Sequence, residues 1–142
     1  MTSLPPLLNL PDEGAYRSYF VNTYCNTPII TFDNIIVRFY PEIFDHAFYR
    51  DSSPIANDKS VFALERAQKI DWIRTVLADP TAELYRRIMS NSKTRRIAVE
   101  PTTPYAVIIQ IHSHNSALAR FVTAYVVDSM TALKKMRSNP RW

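Results

Sequence analysis

His46 stands in the run FDHAFYRD, with Phe44 and Phe48 around it and Asp45 and Asp51 close by. Aromatic neighbours desolvate an imidazole and lower its pKa, whereas carboxylates raise it, so such a histidine can be tuned as an acid or base. A lone histidine is more often a packing or hydrogen-bonding residue. Late in the chain, in FVTAY, Phe121, Thr123 and Tyr125 alternate with Val122 and Ala124. As a strand this stretch packs Val122 and Ala124 on a helix layer and turns Thr123 and Tyr125 to the other face. An antiparallel strand with one wet face gives the same pattern. Metal-independent RNA cleavage needs a base for the 2′-hydroxyl, an acid for the leaving oxygen and cations around the phosphate. His, Arg, Lys, Thr and Tyr can supply all of these, but spacing alone does not join them.

The cations are unevenly spread. The net charge is +4, and Arg86, Arg87, Lys93, Arg95 and Arg96 crowd one stretch while Lys134, Lys135, Arg137 and Arg141 crowd another. That balance is compatible with a polyanion such as RNA, and many inert domains share it. On a helical wheel over 60–79, Glu65, Arg66 and Lys69 fall in the same half as Val61, Phe62, Ile70, Trp72, Ile73, Val76 and Leu77. Inward charges are costly unless paired or at the edge of a cleft. A Glu65–Lys69 pair with Arg66 snorkelling explains them plainly; an anion-binding cleft at that end is the functional alternative.

Other residues exclude more than they suggest. Gly14 is the single glycine, which removes glycine-rich phosphate loops, Rossmann fingerprints and nucleophile elbows. Cys25 is the single cysteine, so there is neither a disulfide framework nor a cysteine zinc site. His112 and His114 form a weak metal signal without a carboxylate or thiol partner. No run is long and apolar enough for a bilayer, and MTSLPPLLNLPDEG lacks a basic leader, so neither a membrane span nor a signal peptide is expected.

The elements that must position these groups divide into an arm over 1–28 and one domain over 29–142. Tyr16, Tyr19, Phe20 and Tyr24 recur at helical spacing in the arm. IITFDNIIVRFY reads as a strand with a turn or bulge at Asp33-Asn34, ended by Pro41. PEIFDHAFYRDSS is a short helix or an ordered loop. The clearest helix runs over about 60–79, capped by Ser60 and stopped by Pro80. ELYRRIM and RRIAVE form a hairpin, PYAVIIQIH and LARFVTAYVV are further strands, and SMTALKKMRS is a basic closing helix. The fold class is α+β: N-terminal helices packed on a four-stranded antiparallel sheet, with a short basic C-terminal helix.

Taken in order, FDHAF, ERAQKIDWI, LADP, RFVTAY and the tail NPRW resemble phage- and toxin-associated nuclease domains of the Barnase–EndoU–colicin–RelE superfamily, over roughly 35–142. The resemblance implies helices on a four-stranded antiparallel sheet and RNA cleavage, without metal or cofactor, to a 2′,3′-cyclic phosphate. It puts His46 in the acid/base role, Arg66 on the phosphate, and Thr123 and Tyr125 on the open strand face, with Lys59 a further cation. Lys69, Arg95, Arg96 and Arg120 complete the candidate substrate contacts. The chain departs from the pattern where TAY continues into Val126 rather than proline, and it has no clear second catalytic histidine. The implied partners are RNA, tRNA included, and an acidic immunity or antitoxin protein, in the cytoplasm of the producing or target cell. A non-catalytic RNA- or protein-binding module, and a structural protein of a phage or secretion system, are the alternatives.

Overall fold

The computed structural model describes residues 3–142. Asp12 opens the first helix by accepting a hydrogen bond from the Ala15 N–H at 2.8 Å, as an N-cap aspartate does. Helix α1 (Glu13–Phe20) runs on into a π-helical turn (Val21–Cys25). Tyr16, Phe20 and Tyr24 thereby share one buried face, so the segment assigned to an arm supplies part of the core. A tight hairpin follows, β1 (Ile29–Ile30) and β2 (Ile36–Arg38), turning through Asn34 at φ 68°, a conformation asparagine tolerates better than most residues. Beyond Pro41 lie α2 (Phe44–Ala47) and the short strands β3 (Tyr49–Arg50) and β4 (Val61–Phe62), which pair with each other in a separate two-stranded sheet.

The helix expected over 60–79 is broken. Val61 and Phe62 belong to β4, and α3 (Leu64–Ala67) is separated from α4 (Ile70–Ala78) by a turn at Gln68 and Lys69. The apolar spacing of α4 buries Ile70, Ile73, Val76 and Leu77 as expected. The break changes where the charges go. Glu65 pairs with Arg50 at 2.6 Å, and Lys69 gives its ammonium to the Glu65 carbonyl at 2.7 Å.

Strands β5 (Glu83–Ile88), β6 (Thr94–Glu100), β7 (Tyr105–His112) and β8 (Asn115–Val126) form the antiparallel meander. The sheet is larger than four antiparallel strands, however. Its order is β1-β2-β8-β7-β6-β5, and β2 lies parallel to β8, pairing Ile36 with Leu118 and Arg38 with Arg120. The four-stranded antiparallel architecture is therefore corrected to a mixed six-stranded sheet plus a two-stranded one. Local alternation shows that a strand exists, but not which distant strand it joins.

One face of the sheet carries the main core, where Phe39 and Phe121 stack at 4.9 Å and Phe20, Phe44, Phe48 and α4 pack over Val107 and Ile109. On the other face α5 (Met130–Arg137) buries Leu133 against Ile97, Val99, Ala106 and Ile108. Beyond β5 the tail acts as edge cover: Arg86 donates its N–H to the Pro140 carbonyl at 2.8 Å and Trp142 to the Leu84 carbonyl at 2.9 Å.

Candidate polyanion-binding face

A bulge in β8 sets which side chains reach the face that α5 covers only in part. Thr123 pairs with Ile108 and Phe121 with Ile109, leaving Val122 as the extra residue. A bulge reverses the alternation beyond it. Phe121 and Ala124 therefore enter the main core, whereas Val122 joins the cluster under α5. The expectation that Val122 packs with Ala124 on the helix layer is corrected by that one residue. Thr123 and Tyr125 lie half-buried on the α5 side.

Register pairs place a row of arginines across this same face. Arg87 is opposite Arg95, Arg95 opposite Gln110, Gln110 opposite Arg120, and Arg120 beside Arg38. Each lies two residues from a neighbour in the α5-side cluster or pairs directly with one that does. Four interstrand steps of about 4.8 Å make the row roughly 19 Å long. Among the described residues no carboxylate forms an ion pair with any of these arginines. The Arg95 Nε is buried without a hydrogen-bond partner. Burial, and then Arg120 and Arg87, lower the pKa of its guanidinium. Like charges directly opposite each other across strands are destabilising, so the row is a cost to the fold.

His46 lies at the rim of this row. Where β2 ends the chain turns at Pro41, and α2 packs beside β8. Phe44 and Phe48 sink into the core while the imidazole keeps an open side. The protein packed behind the ring, then Lys59, Arg95 and Arg66, all push its pKa below the ordinary value. Lys59 is half-buried at φ 45° and donates its N–H to Asp51 at 3.0 Å. Arg66 holds its guanidinium 5.5 Å from the centre of the Tyr125 ring. Burial raises the Tyr125 pKa against the pull of Arg66 and Arg87.

Two recesses flank Tyr125. One, of about 210 Å³, is lined by Glu65, Arg66, Lys69, Val126 and Asp128. The other, of about 300 Å³, lies beneath α5 among Arg87, Ile97, Ile108, Met136 and Asn139.

The fold thus brings His46, Lys59, Arg66, Tyr125, Arg95 and Arg120 around one face, with Thr123 in its floor. Lys69 borders the recess beside Arg66, but its ammonium is engaged with Glu65 and lies over Trp72. Arg96 is elsewhere. It is 1% exposed on the opposite face, and its Nη1 donates to both Asp33 carboxylate oxygens at 2.8 and 3.0 Å. Its assignment to substrate contact is corrected: adjacent residues of a strand point to opposite faces, so Arg95 and Arg96 cannot share one.

Sequence reasoning did not single out Arg38, Arg87 or Gln110 for this face. Strand alternation carried the signal for Arg87, two residues from Tyr85, but nothing local placed Arg38 beside Arg120. His112 and His114 sit at the β7–β8 turn, where the His114 N–H donates to His112 Nδ1 at 3.1 Å. Among the described residues no cluster of three His, Cys, Asp or Glu could hold a metal ion. Burial, with Glu42, raises the Cys25 thiol pKa. No helix among the described residues is long and apolar enough to cross a membrane. Comparison of the chain with protein-family models, curated proteins and solved structures gave no match.

Proposed function

We propose that this chain is a metal-independent endoribonuclease acting on single-stranded RNA. The observation that supports it best is an imidazole with a lowered pKa near Lys59, Arg66 and Arg95, at the rim of an arginine row that pairs with no carboxylate among the described residues. In this reading neutral His46 takes the 2′-hydroxyl proton. The O2′–phosphorus bond forms, the phosphorus–O5′ bond breaks, and a 2′,3′-cyclic phosphate remains. Lys59 and Arg66 carry the charge that builds on the phosphate oxygens, and Arg95 adds its field from the row. The Tyr125 hydroxyl, kept protonated by burial, gives the proton to O5′. Thr123 lies in the floor beneath the reacting group.

Such an enzyme belongs where RNA is, in the cytoplasm of a producing or target cell, as a toxin or phage-borne domain. An acidic immunity or antitoxin protein would neutralise the same face.

Incubation with tRNA in EDTA tests the reading. The expected result is cleavage that leaves cyclic phosphate ends and falls at least a hundredfold in His46→Ala, within the usual range for general acid–base catalysis. No cleavage, or equal cleavage by the variant, refutes it. One observation favours a second reading, RNA binding without turnover: His112 and His114 lie at the β7–β8 turn and supply no second imidazole beside His46. Salt-sensitive binding with no product would select it.

A further inference from the structure

The arginine row extends well past His46. At its β2 end a cavity of about 260 Å³ opens between β2, β8 and β7, lined by Arg38, Tyr40, Lys93, Gln110, His112 and Arg120 among others. None of its lining residues is an aspartate or glutamate. Arg38 and Arg120 are register partners on neighbouring strands, so their side chains leave the sheet on one face, and both line this cavity. Both are exposed. Tyr40, 48% exposed, forms part of the wall two residues beyond Arg38.

We infer that this cavity is a second phosphate subsite for the same RNA strand, with Arg38 and Arg120 gripping a backbone phosphate and Tyr40 offering its ring to the attached base. The inference rests on the nuclease reading for its ligand. A bound phosphate relieves the repulsion that the Arg38–Arg120 pairing creates, and paired arginine forks match phosphate oxygens. An exposed aromatic ring beside a cationic groove is the arrangement that holds single strands without regard to sequence. The β7 partners of Arg120 and Tyr125, Gln110 and Ala106, are four residues apart because of the bulge, so Arg120 and Tyr125 lie roughly 13 Å apart along the strand at about 3.3 Å per residue. The phosphate held at Arg38 is therefore not the scissile one but lies further along the strand. The subsite makes substrate length matter, because a dinucleotide spanning Tyr125 leaves it empty and a longer strand fills it.

The test is a length series of fluorescein-labelled 2′-deoxy oligonucleotides, which carry no 2′-hydroxyl to react, titrated in EDTA at several salt concentrations. Arg38→Gln together with Arg120→Gln should weaken binding of an octamer about tenfold or more and the dinucleotide far less, and Arg38→Gln should leave the dinucleotide unchanged. The slope of log affinity against log salt should fall by about 0.7 for each phosphate that is no longer neutralised. Arg38→Gln alone, an exposed change at the end of β2, keeps the test open if the double variant does not fold, and should give part of the same weakening. Tyr40→Ala should weaken the octamer without altering the slope.

Unchanged length dependence and salt slope in the arginine variants overturn the subsite. So does poly-glutamate competing as well as the octamer, which would mark the cavity as a docking point for an acidic protein. The nuclease reading is separable. If the wild type cleaves no RNA yet the length-dependent weakening appears, the subsite stands and catalysis falls. If the wild type cleaves and the variants cut and bind long and short strands as it does, catalysis stands and the subsite falls.

Discussion

Replacing Arg95 by glutamine should make the protein more stable and a poorer ligand for RNA. Arg95 faces Arg87 directly across a strand pair and Arg120 one strand further on. Direct cross-strand pairs are worth roughly 0.2–1 kcal/mol, and like charges act in the unfavourable sense. Arg120 is two interstrand steps away, about 10 Å. Coulomb's law in water gives about 0.4 kcal/mol at that separation, and physiological salt reduces it to about 0.1 kcal/mol. Glutamine also removes the buried Nε that has no partner while keeping much of the side-chain stem in place. The net expectation is a gain of about 0.5–1 kcal/mol, a rise of roughly 2–5 °C in Tm for a domain of this size. Thermal unfolding in low salt measures it. The electrostatic part of the gain should fade near 1 M salt, where the screening length falls to about 3 Å, leaving only the smaller part that comes from removing the unpartnered Nε. The same variant should bind single-stranded RNA with a salt slope smaller by about 0.7. A variant that is less stable than the wild type at low salt, or whose advantage ignores salt, refutes the claim that the row is an electrostatic cost.

Three further outcomes follow from the structure. Because His46 has a depressed folded pKa, the unfolded chain binds its proton first. Stability should thus fall as pH drops through about 6.5, the ordinary histidine value, and on downward to the folded pKa; His46→Gln should lose that part of the Tm–pH curve, and the rising limb of the wild-type cleavage–pH profile should have its midpoint below 6.5. Burial pushes the Asp33 carboxyl up, but the Thr31 hydroxyl and Arg96 outweigh it and hold its pKa low; Asp33→Ala, which strands the buried guanidinium, should cost about 3 kcal/mol in urea denaturation, the low end for a broken buried pair because Asp33 is partly open. Deleting 140–142 removes two backbone hydrogen bonds from the β5 edge and should cost about 1–3 kcal/mol, with concentration-dependent self-association in sedimentation because the edge is bared; a shortened chain that stays monomeric at high concentration contradicts the edge-cover role.

What the residues reveal before folding depends on the range of the interaction. Ile70, Ile73, Val76 and Leu77 declare a buried helix face because a helix repeats its own pattern every 3.6 residues. The β5–β6 hairpin is legible because SNSKT lies between two alternating runs. Thr123 and Tyr125 are legible as residues of one face, but Val122 is not, because a bulge is a property of the pairing and not of the strand alone. Arg95 and Arg96 read as one basic patch until strict alternation separates them, one to the open face and one to a buried partner. Ser60 reads as a cap because serine so often is one, yet Val61 and Phe62 gain more by pairing with β3. The parallel insertion of β2 beside β8, which creates the Arg38–Arg120 pair, leaves no local trace. The same holds for His46, Lys59, Arg66 and Arg95, which approach one another through the tertiary fold alone.

That parallel insertion also fixes an order of assembly. The β5–β8 meander closes through neighbouring hairpins, which form early because little chain must be looped to make them. The β1–β2 hairpin and α2 can take their places only once β8 exists to receive them. His46 is therefore among the last groups to reach its position, since α2 rests on the part of β8 just beyond the β2 pairing. During synthesis the chain carries Arg38, Arg87 and Arg95 before it carries a completed face, and Arg120 arrives with β8 itself. Whatever chemistry the face performs begins only when β8 has left the ribosome and closed the sheet.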